Sequence, residues 1–204
     1  MAIKLYYTPG ACSLSPHIAL REAELPFELV QVNLAEKKIV NDGSFYDVNP
    51  KGYVPAIVLE DGQLLTEGAI LVQYIADQKP EKKLAPRAGT LERVRLNEWL
   101  HFIATELHKG FGPVNNPKSN LEIKQFFQAR LLSRFEFLAR SLSGKQFLLG
   151  EQFTVADGYA YYTLRNLRKL DATVVDNSPV LKPYFERVHA RPAVQAALTA
   201  EGVA

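Results

Sequence analysis

Cys12 is the residue whose type and setting point most directly to chemistry. A strand-like apolar run, residues 3–7, comes shortly before it, and a helical pattern starts shortly after it. A helix start offers unpaired backbone amides and the positive end of the helix dipole, which lower the pKa of a thiol and raise its reactivity. A lone cysteine is otherwise most often a small buried apolar residue. We interpret Cys12 as a reactive thiol; Ser13 is either a nearby hydroxyl donor or the helix cap, and Tyr7 is a second nearby hydroxyl.

Two further segments combine residues that suit a peptide-like ligand. At Val54-Pro55, a proline enters a strand, and a cis bond there would turn the Val54 amide and carbonyl outward toward an extended ligand. Glu67 and Gly68 open a helix whose amides can bind a carboxylate, while the Glu67 side chain can bind an ammonium. The plainer alternatives are a trans proline at the start of a strand and an acid that only caps its helix.

Polar residues at spacings of three, four and three follow one face of a later helix: Glu98, His101, Thr105 and His108. They could form the far wall of a cleft facing the first half of the chain, or simply a solvent face. His101 and His108 lie two turns apart, about 10 Å, so they cannot share one metal ion and we expect no metal site. The His108 imidazole could hydrogen-bond to a thiolate or transfer a proton near neutral pH.

The first half of the chain, which must position Cys12, alternates between strand and helix. Residues 3–32 have the pattern of a right-handed parallel βαβ unit. After a polar loop with one short helix at 36–50, Asp61-Gly62 indicates a hairpin between strands 54–59 and 63–66, and a helix follows from Glu67. The predicted order is β-α-β-α-β-β-α.

The second half has a helical period throughout. The charged, proline-containing linker at 79–83 separates domains 1–79 and 88–204. We predict a helix of about five turns whose buried stripe runs from Leu96 to Leu107, a long helix over 121–142, and a buried helix opened by the capping signature at 154–157. Shorter helices at 181–191 and 193–199 complete the predicted all-α domain.

Composition excludes several classes of protein. With 204 residues, 47% hydrophobic and 23% charged, the chain is typical of globular proteins and not of disordered ones. A net charge of +2 gives no electrostatic footprint for nucleic acid, and one cysteine excludes an intramolecular disulfide. The N-terminus is unlike a signal peptide, and the apolar runs are too short for a membrane span. We expect a cytoplasmic protein that binds neither nucleic acid nor a membrane.

The order of several motifs resembles that of the glutathione transferases, and the opening segment resembles the bacterial beta class. The motifs that carry this resemblance occupy residues 6–17, 49–55, 65–68, 106–110 and 153–157. The resemblance implies an α/β thioredoxin-like N-terminal domain that binds glutathione and an all-helical C-terminal domain that forms the electrophile pocket. It also implies a homodimer, with glutathione as co-substrate and no other cofactor.

The implied activity is conjugation of the glutathione thiolate to small, often apolar electrophiles, with mixed-disulfide chemistry at Cys12. Two alternatives are a glutathione-dependent thiol–disulfide oxidoreductase that uses Cys12 and a non-catalytic binding protein for apolar ligands. Catalytic roles fall to Cys12 and His108. The resemblance places the γ-glutamyl end at Glu67 and Gly68, and the glycine carboxylate on Lys37 in preference to Lys38. This sequence has His101 at a position where the family usually has Asn. The predicted glutathione contacts are Tyr7, Cys12, Lys37, Val54, Pro55, Glu67, Gly68, Thr105 and His108.

Overall fold

The chain forms two compact units in the computed structural model, which describes residues 3–204. Unit 1 comprises residues 3–85 and 189–204, and unit 2 comprises residues 86–188. The predicted domains placed all of 88–204 in the helical half. The structure instead groups the last helix with unit 1, because its side chains are bound there by buried polar contacts.

Unit 1 contains a mixed sheet with the strand order β3-β2-β1-β4-β5. β1 and β2 pair in parallel, while the β1–β4, β2–β3 and β4–β5 pairs are antiparallel. This is the predicted thioredoxin-like arrangement. Its elements are β1 (Ile3–Tyr7), α1 (Leu14–Glu22), β2 (Phe27–Asn33), β3 (Lys38–Ile39), β4 (Ala56–Val58), β5 (Leu64–Thr66), α2 (Gly68–Asp77) and α9 (Pro192–Glu201).

The predicted loop between β2 and β4 differs in detail from the structure. Its short helix is one 3-10 turn, Phe45–Asp47, which follows the two-residue strand β3. The sequence did not predict β3, because two residues are too few to show a period. Phe45 is fully buried in a cluster with Tyr6 and Val54, so this loop is packed against the sheet.

Strand register brings the ends of three elements to one edge of the sheet. Tyr6 pairs with Ala56, and Ala56 pairs with Thr66 on its other side. Because β4 runs antiparallel to both neighbours, the chain leaves β1 and β5 at the edge where it enters β4. Three segments therefore lie next to one another at this edge: the loop after β1, the residues before Ala56 and the start of α2.

The C-terminal helix α9 is bound to α1 and to the loop after β1 by a fully buried carboxylate. Glu201 Oε1 lies 2.8 Å from Nδ1 of His17, and Glu201 Oε2 accepts the Gly10 amide at 2.9 Å. Arg21 Nε donates to Nε2 of His17 at 2.9 Å, so Nδ1 is the nitrogen that carries the proton toward Glu201.

Unit 2 is helical, and its most buried helix follows the predicted capping signature. Asp157 accepts hydrogen bonds from the Thr154 amide (2.8 Å), the Leu148 amide (2.9 Å) and the Tyr184 hydroxyl (2.9 Å). Because this carboxylate is buried, its pKa is raised above the ordinary value, although these hydrogen bonds oppose the shift. The elements of the unit are α3 (Leu91–Phe102), α4 (Phe111–Asn115), α5 (Leu121–Leu142), α6 (Val155–Leu170), α7 (Ala172–Asp176) and α8 (Leu181–His189).

The predicted five-turn helix is not a single α-helix. Its α-helical part ends at Phe102 and continues as a π-helical turn over Ile103–His108, closed by a hydrogen bond from the Lys109 amide to the Ala104 carbonyl at 3.2 Å. The turn packs against α5 at Gly110. A Cβ there would lie 2.7 Å from the Glu106 carbonyl oxygen and 2.8 Å from Leu131 Cδ1, so only glycine fits without displacement.

In residues 3–204 there is no helix with both the length and the apolar character that a membrane span requires.

We predict that Gly110→Ala destabilises the protein by about 1–3 kcal/mol, the usual cost of forcing extra volume into a packed site. Urea unfolding measures this directly. Gly112→Ala is the matched control, because a Cβ at Gly112 meets nothing within 4 Å. Equal stability of the two variants would contradict the close packing at the π turn.

Candidate functional site

Cys12 and Val54 meet at the sheet edge defined by the strand register. The Cys12 thiol donates to the Val54 carbonyl oxygen with an S–O distance of 3.2 Å, although the two residues are 42 positions apart. The Val54–Pro55 peptide bond is cis, which is the one of the two alternatives for this bond that suits an extended ligand. A thiol and an extended backbone segment therefore share one location, which is the arrangement that a cysteine-containing peptide would need.

The loop that carries Cys12 is held by its own side chains and by neighbouring elements. The Ser13 hydroxyl accepts from the Thr8 amide at 3.2 Å and donates to the Thr8 carbonyl at 3.3 Å. The Thr8 hydroxyl in turn donates to the carbonyl of Val32 in β2 at 2.7 Å. Together with the bond from Gly10 to Glu201, these contacts fix the backbone on both sides of Cys12 before any ligand binds.

Tyr7, Cys12 and Ser13, the three side chains here that could interact with the sulfur of a ligand, occupy different environments. Ser13 is fully buried and bonded within the loop, while Cys12 is only partly buried. Tyr7 is 8% exposed, and burial, followed by the negative charge of Glu201, raises the pKa of its phenol. Tyr7 therefore remains a neutral hydroxyl across the physiological range. Of the three, Cys12 is the one whose polar atom is hydrogen-bonded to the Val54 carbonyl at this edge.

Glu67 and Gly68 lie where the chain leaves β5, and a lysine that the sequence analysis did not select joins them. Glu67 occupies the cap position of α2 with φ of +70° and an exposed carboxylate. Lys51 Nζ donates to Glu67 Oε1 at 2.7 Å and to the Thr66 hydroxyl at 3.1 Å. The signal that could have found Lys51 was its place in the motif at 49–55. Glu67, Lys51 and Gly68 thus place one carboxylate, one ammonium and the first amide of α2 side by side.

Lys37 reaches the same edge from the loop after β2. Its ammonium donates to the Gly52 carbonyl oxygen at 2.9 Å and lies 5.3 Å from the centre of the Tyr53 ring. Lys38 instead lies in β3 with an exposed side chain. The structure thus brings Lys37, and not Lys38, to the segment that immediately precedes Val54.

His108 is part of unit 2 and packs against α6. Its Nδ1 is 2.8 Å from the Tyr159 hydroxyl, and its ring lies edge-on to Tyr159 and Tyr162, with centroids 5.8 and 5.2 Å away. Burial, with a smaller contribution from the positive charge of Lys109, lowers the His108 pKa to about 4. The ring is therefore neutral at pH 7. It can donate one hydrogen bond there, but the predicted proton transfer near neutral pH is not supported.

His101 and Thr105 do not share the environment of His108. Both are exposed; His101 Nδ1 lies 2.8 Å from the Asn97 carbonyl oxygen, and the Thr105 hydroxyl donates to the His101 carbonyl at 2.9 Å. The predicted common face assumed a uniform α-helix. A π turn closes its hydrogen bonds over one residue more than an α-helical turn does. This extra residue rotates the His108 side chain away from the helix face that carries His101 and Thr105.

Comparison with known proteins places both units in one family. Residues 10–78 match the N-terminal domain model of the glutathione S-transferases, and residues 103–201 match the C-terminal domain model. The chain is 41% identical to glutathione S-transferase GstA of Escherichia coli O157:H7, over 98% of this chain and all of that protein. The chain belongs to the glutathione S-transferase family.

Two solved structures refine this assignment. The chain is similar to a ternary complex of BphK, a bacterial glutathione transferase, with 51% identity, a TM-score of 0.92, and coverage of 98% and 99% of the two chains. It is also similar to the bacterial beta-class enzyme of Sphingomonas chungbukensis, with 43% identity, a TM-score of 0.91, and coverage of 98% and 100%. The predicted resemblance to the beta class, the transferase activity and glutathione as co-substrate are confirmed. Transferase activity is favoured over the oxidoreductase and the non-catalytic binding protein.

The lowered pKa of His108 predicts a specific dependence of stability on pH. The folded chain holds His108 neutral down to about pH 4, whereas the unfolded chain protonates it near 6.5. Stability is therefore fully present above pH 6.5 and is lost as the pH falls toward 4. Between pH 7.5 and pH 5, wild type should lose about 2 kcal/mol more unfolding free energy than His108→Gln, which does not titrate. Equal losses in urea titrations at the two pH values would show that His108 is not held neutral.

Proposed function

We propose that the enzyme binds glutathione along the sheet edge of unit 1 and transfers its thiolate to small, often apolar electrophiles. The observation that carries this proposal is the contact between Cys12 and the Val54 carbonyl, at the same edge as Glu67 and Gly68. A tripeptide needs a strand-like partner, a place for its sulfur and partners for its charged ends. The described residues of unit 1 provide each of these.

The extended middle of glutathione pairs with the backbone of Val54 as a short added strand. This mode uses main-chain hydrogen bonds for affinity and leaves the cysteinyl side chain directed toward Cys12. The glycine carboxylate binds Lys37, whose ammonium exchanges its bond to Gly52 for a charge-assisted bond to the ligand. Pro55 fixes the backbone that presents Val54.

The γ-glutamyl end carries both an ammonium and a carboxylate, and the start of α2 offers a partner to each. The Glu67 carboxylate accepts the ammonium. The amide of Gly68 and the positive end of the α2 dipole favour the carboxylate, and Lys51, 2.7 Å from Glu67, adds a positive charge beside it. Because Lys51 and Glu67 already neutralise each other, the ligand replaces an existing ion pair with two complementary ones.

The chemical step is a substitution or addition at an electrophilic carbon. Glutathione binds as a thiol and releases its proton to water, and the thiolate then attacks carbon. In a substitution, the new carbon–sulfur bond forms as a halide or similar group leaves with its electron pair; in an addition, the electron pair moves onto the electrophile, which then takes up a proton from water. The positive end of the α1 dipole stabilises the thiolate. His108 and Thr105 are further predicted contacts, supported by the family resemblance.

Cys12 gives the same site a second reaction with oxidised glutathione. The Cys12 thiolate attacks one sulfur of the disulfide, the Cys12–glutathione disulfide forms, and one glutathione thiolate leaves. The position of Cys12 beside Val54 supports this reaction, since the ligand's sulfur is directed to the same place. Conjugation does not require this bond.

Cys12→Ala is expected to separate the two reactions. Conjugation of an aryl halide should retain kcat/KM within about threefold, because the α1 dipole still stabilises the thiolate. Reduction of a small mixed disulfide should fall to background. Loss of both activities, with an unchanged melting temperature, would contradict a conjugation mechanism that is independent of Cys12.

Glu67→Gln is the companion variant, because it leaves Cys12 unchanged. Removal of one charge-assisted hydrogen bond should raise the KM for glutathione about tenfold or more in both reactions. An unchanged KM would place the γ-glutamyl end elsewhere.

Homodimerisation and a cytoplasmic location remain part of this proposal. Both are supported by the family resemblance. The small net charge of +2 supports an enzyme that acts on small molecules in preference to nucleic acid.

A further inference from the structure

Glu201, the last residue of α9, contacts the turn that leads into Cys12, although 191 positions separate it from Gly10. Its side chain is fully buried, and its Oε2 accepts the Gly10 amide at 2.9 Å. Its Oε1 lies 2.8 Å from Nδ1 of His17 in α1. All of these elements belong to unit 1. The proposed function uses Cys12 but gives no role to Glu201.

The two groups that are hydrogen-bonded to the Glu201 carboxylate are both donors. The Gly10 amide can only donate. Arg21 Nε donates to Nε2 of His17 at 2.9 Å, so the proton of the neutral ring lies on Nδ1, toward Glu201. Two donors require two acceptors, which a carboxylate provides. A carboxamide would direct its NH2 group at one of these donors, at a cost in free energy in a buried environment.

The Gly10 amide belongs to the central peptide of a tight turn. Ala11 donates its amide to the Thr8 carbonyl at 3.0 Å, and Gly10, the third residue of the turn, has φ of +68°, as a type II turn requires. A type I turn differs by a flip of the central peptide, which directs its N–H to the opposite side. The bond to Glu201 therefore holds this peptide in one of two orientations, and Cys12 follows the turn directly.

We propose that Glu201 is a positioning residue: its carboxylate holds the turn before Cys12 in one form and thereby keeps the Cys12 sulfur beside the Val54 carbonyl. The effect on the turn rests on the contacts within unit 1, while the effect on glutathione chemistry rests on the proposed function. Oxidised glutathione must place its backbone along Val54 and its sulfur at Cys12 at the same time. A small disulfide without the tripeptide needs only the thiol.

Glu201→Gln tests the inference by replacing one acceptor oxygen with a donor at nearly constant size. The measurement compares the rate constants for mixed-disulfide formation at Cys12 with oxidised glutathione and with 2-hydroxyethyl disulfide. Their ratio should fall about tenfold relative to wild type, because a small misplacement of reacting groups is costly only when the ligand is held in place. A merely structural role would change both rate constants together and leave the ratio unchanged.

Glu22→Gln is the matched control. Glu22, the last residue of α1, forms an ion pair with Arg191 at the N-cap of α9 through both carboxylate oxygens. The substitution makes the same chemical change at a contact between the same two helices, but at the opposite end of α1 from Cys12. The ratio of rate constants should remain that of wild type. An unchanged ratio in Glu201→Gln, or an equal fall in the two variants, would overturn the inference.

Measurements on wild type test the inference even if Glu201→Gln does not fold. Nitrogen NMR at pH 7 should show a proton on Nδ1 of His17, and hydrogen exchange at the Gly10 amide should be slow. An Nδ1 without a proton, or a Gly10 amide that exchanges as fast as in an unfolded peptide, would overturn the inference. If both signals are as expected but wild type does not prefer oxidised glutathione to 2-hydroxyethyl disulfide, the proposed glutathione site fails and the role of Glu201 in fixing the turn stands.

Discussion

The register of β1, β4 and β5 is the constraint on which the proposed site depends. Tyr6, Ala56 and Thr66 form one row across three strands, and the antiparallel direction of β4 makes its entry coincide with the exits from the other two. A shift of one residue would also turn the buried partners Leu5 and Ile57 toward the opposite face. The burial that stabilises the sheet therefore also specifies where the site forms.

Fixed contacts surround this edge before a ligand binds. The buried carboxylate of Glu201 joins the last helix to His17 and to the Gly10 amide, two residues before Cys12. Lys37 is bound to the Gly52 carbonyl in the segment before β4, and Lys51 is bound to the Glu67 carboxylate directly after β5. Binding exchanges these polar contacts for others of the same kind, and so it requires little ordering of side chains.

The sequence predicted the parts of the molecule whose signals are local. Strand alternation, the Asp61-Gly62 hairpin, the capping signature at Thr154 and the motif around Val54 each lie within a few residues. The βαβ unit, the hairpin and the buried helix followed from them. The features that were missed depend on contacts distant in sequence. Helix α9 joins unit 1 through Glu201, whose partners lie 184 and 191 residues away.

The environment of His108 was also inaccessible to periodicity. A uniform helix placed it on one face with His101 and Thr105. In the structure it packs instead against Tyr159 and Tyr162 of α6, and burial lowers its pKa. Gly110 was the available signal, but its meaning depends on Leu131 in a later helix. The sequence was enough to select His108 as a candidate residue, but its protonation state could be inferred only from the tertiary structure.

Amide hydrogen exchange with and without glutathione tests most directly whether one edge of unit 1 holds the whole tripeptide. The account predicts slower exchange in the segments 8–13, 52–54 and 66–69 together, with the same dependence on glutathione concentration. Slower exchange in one of these segments alone, or in another part of unit 1 while all three remain unchanged, would contradict it.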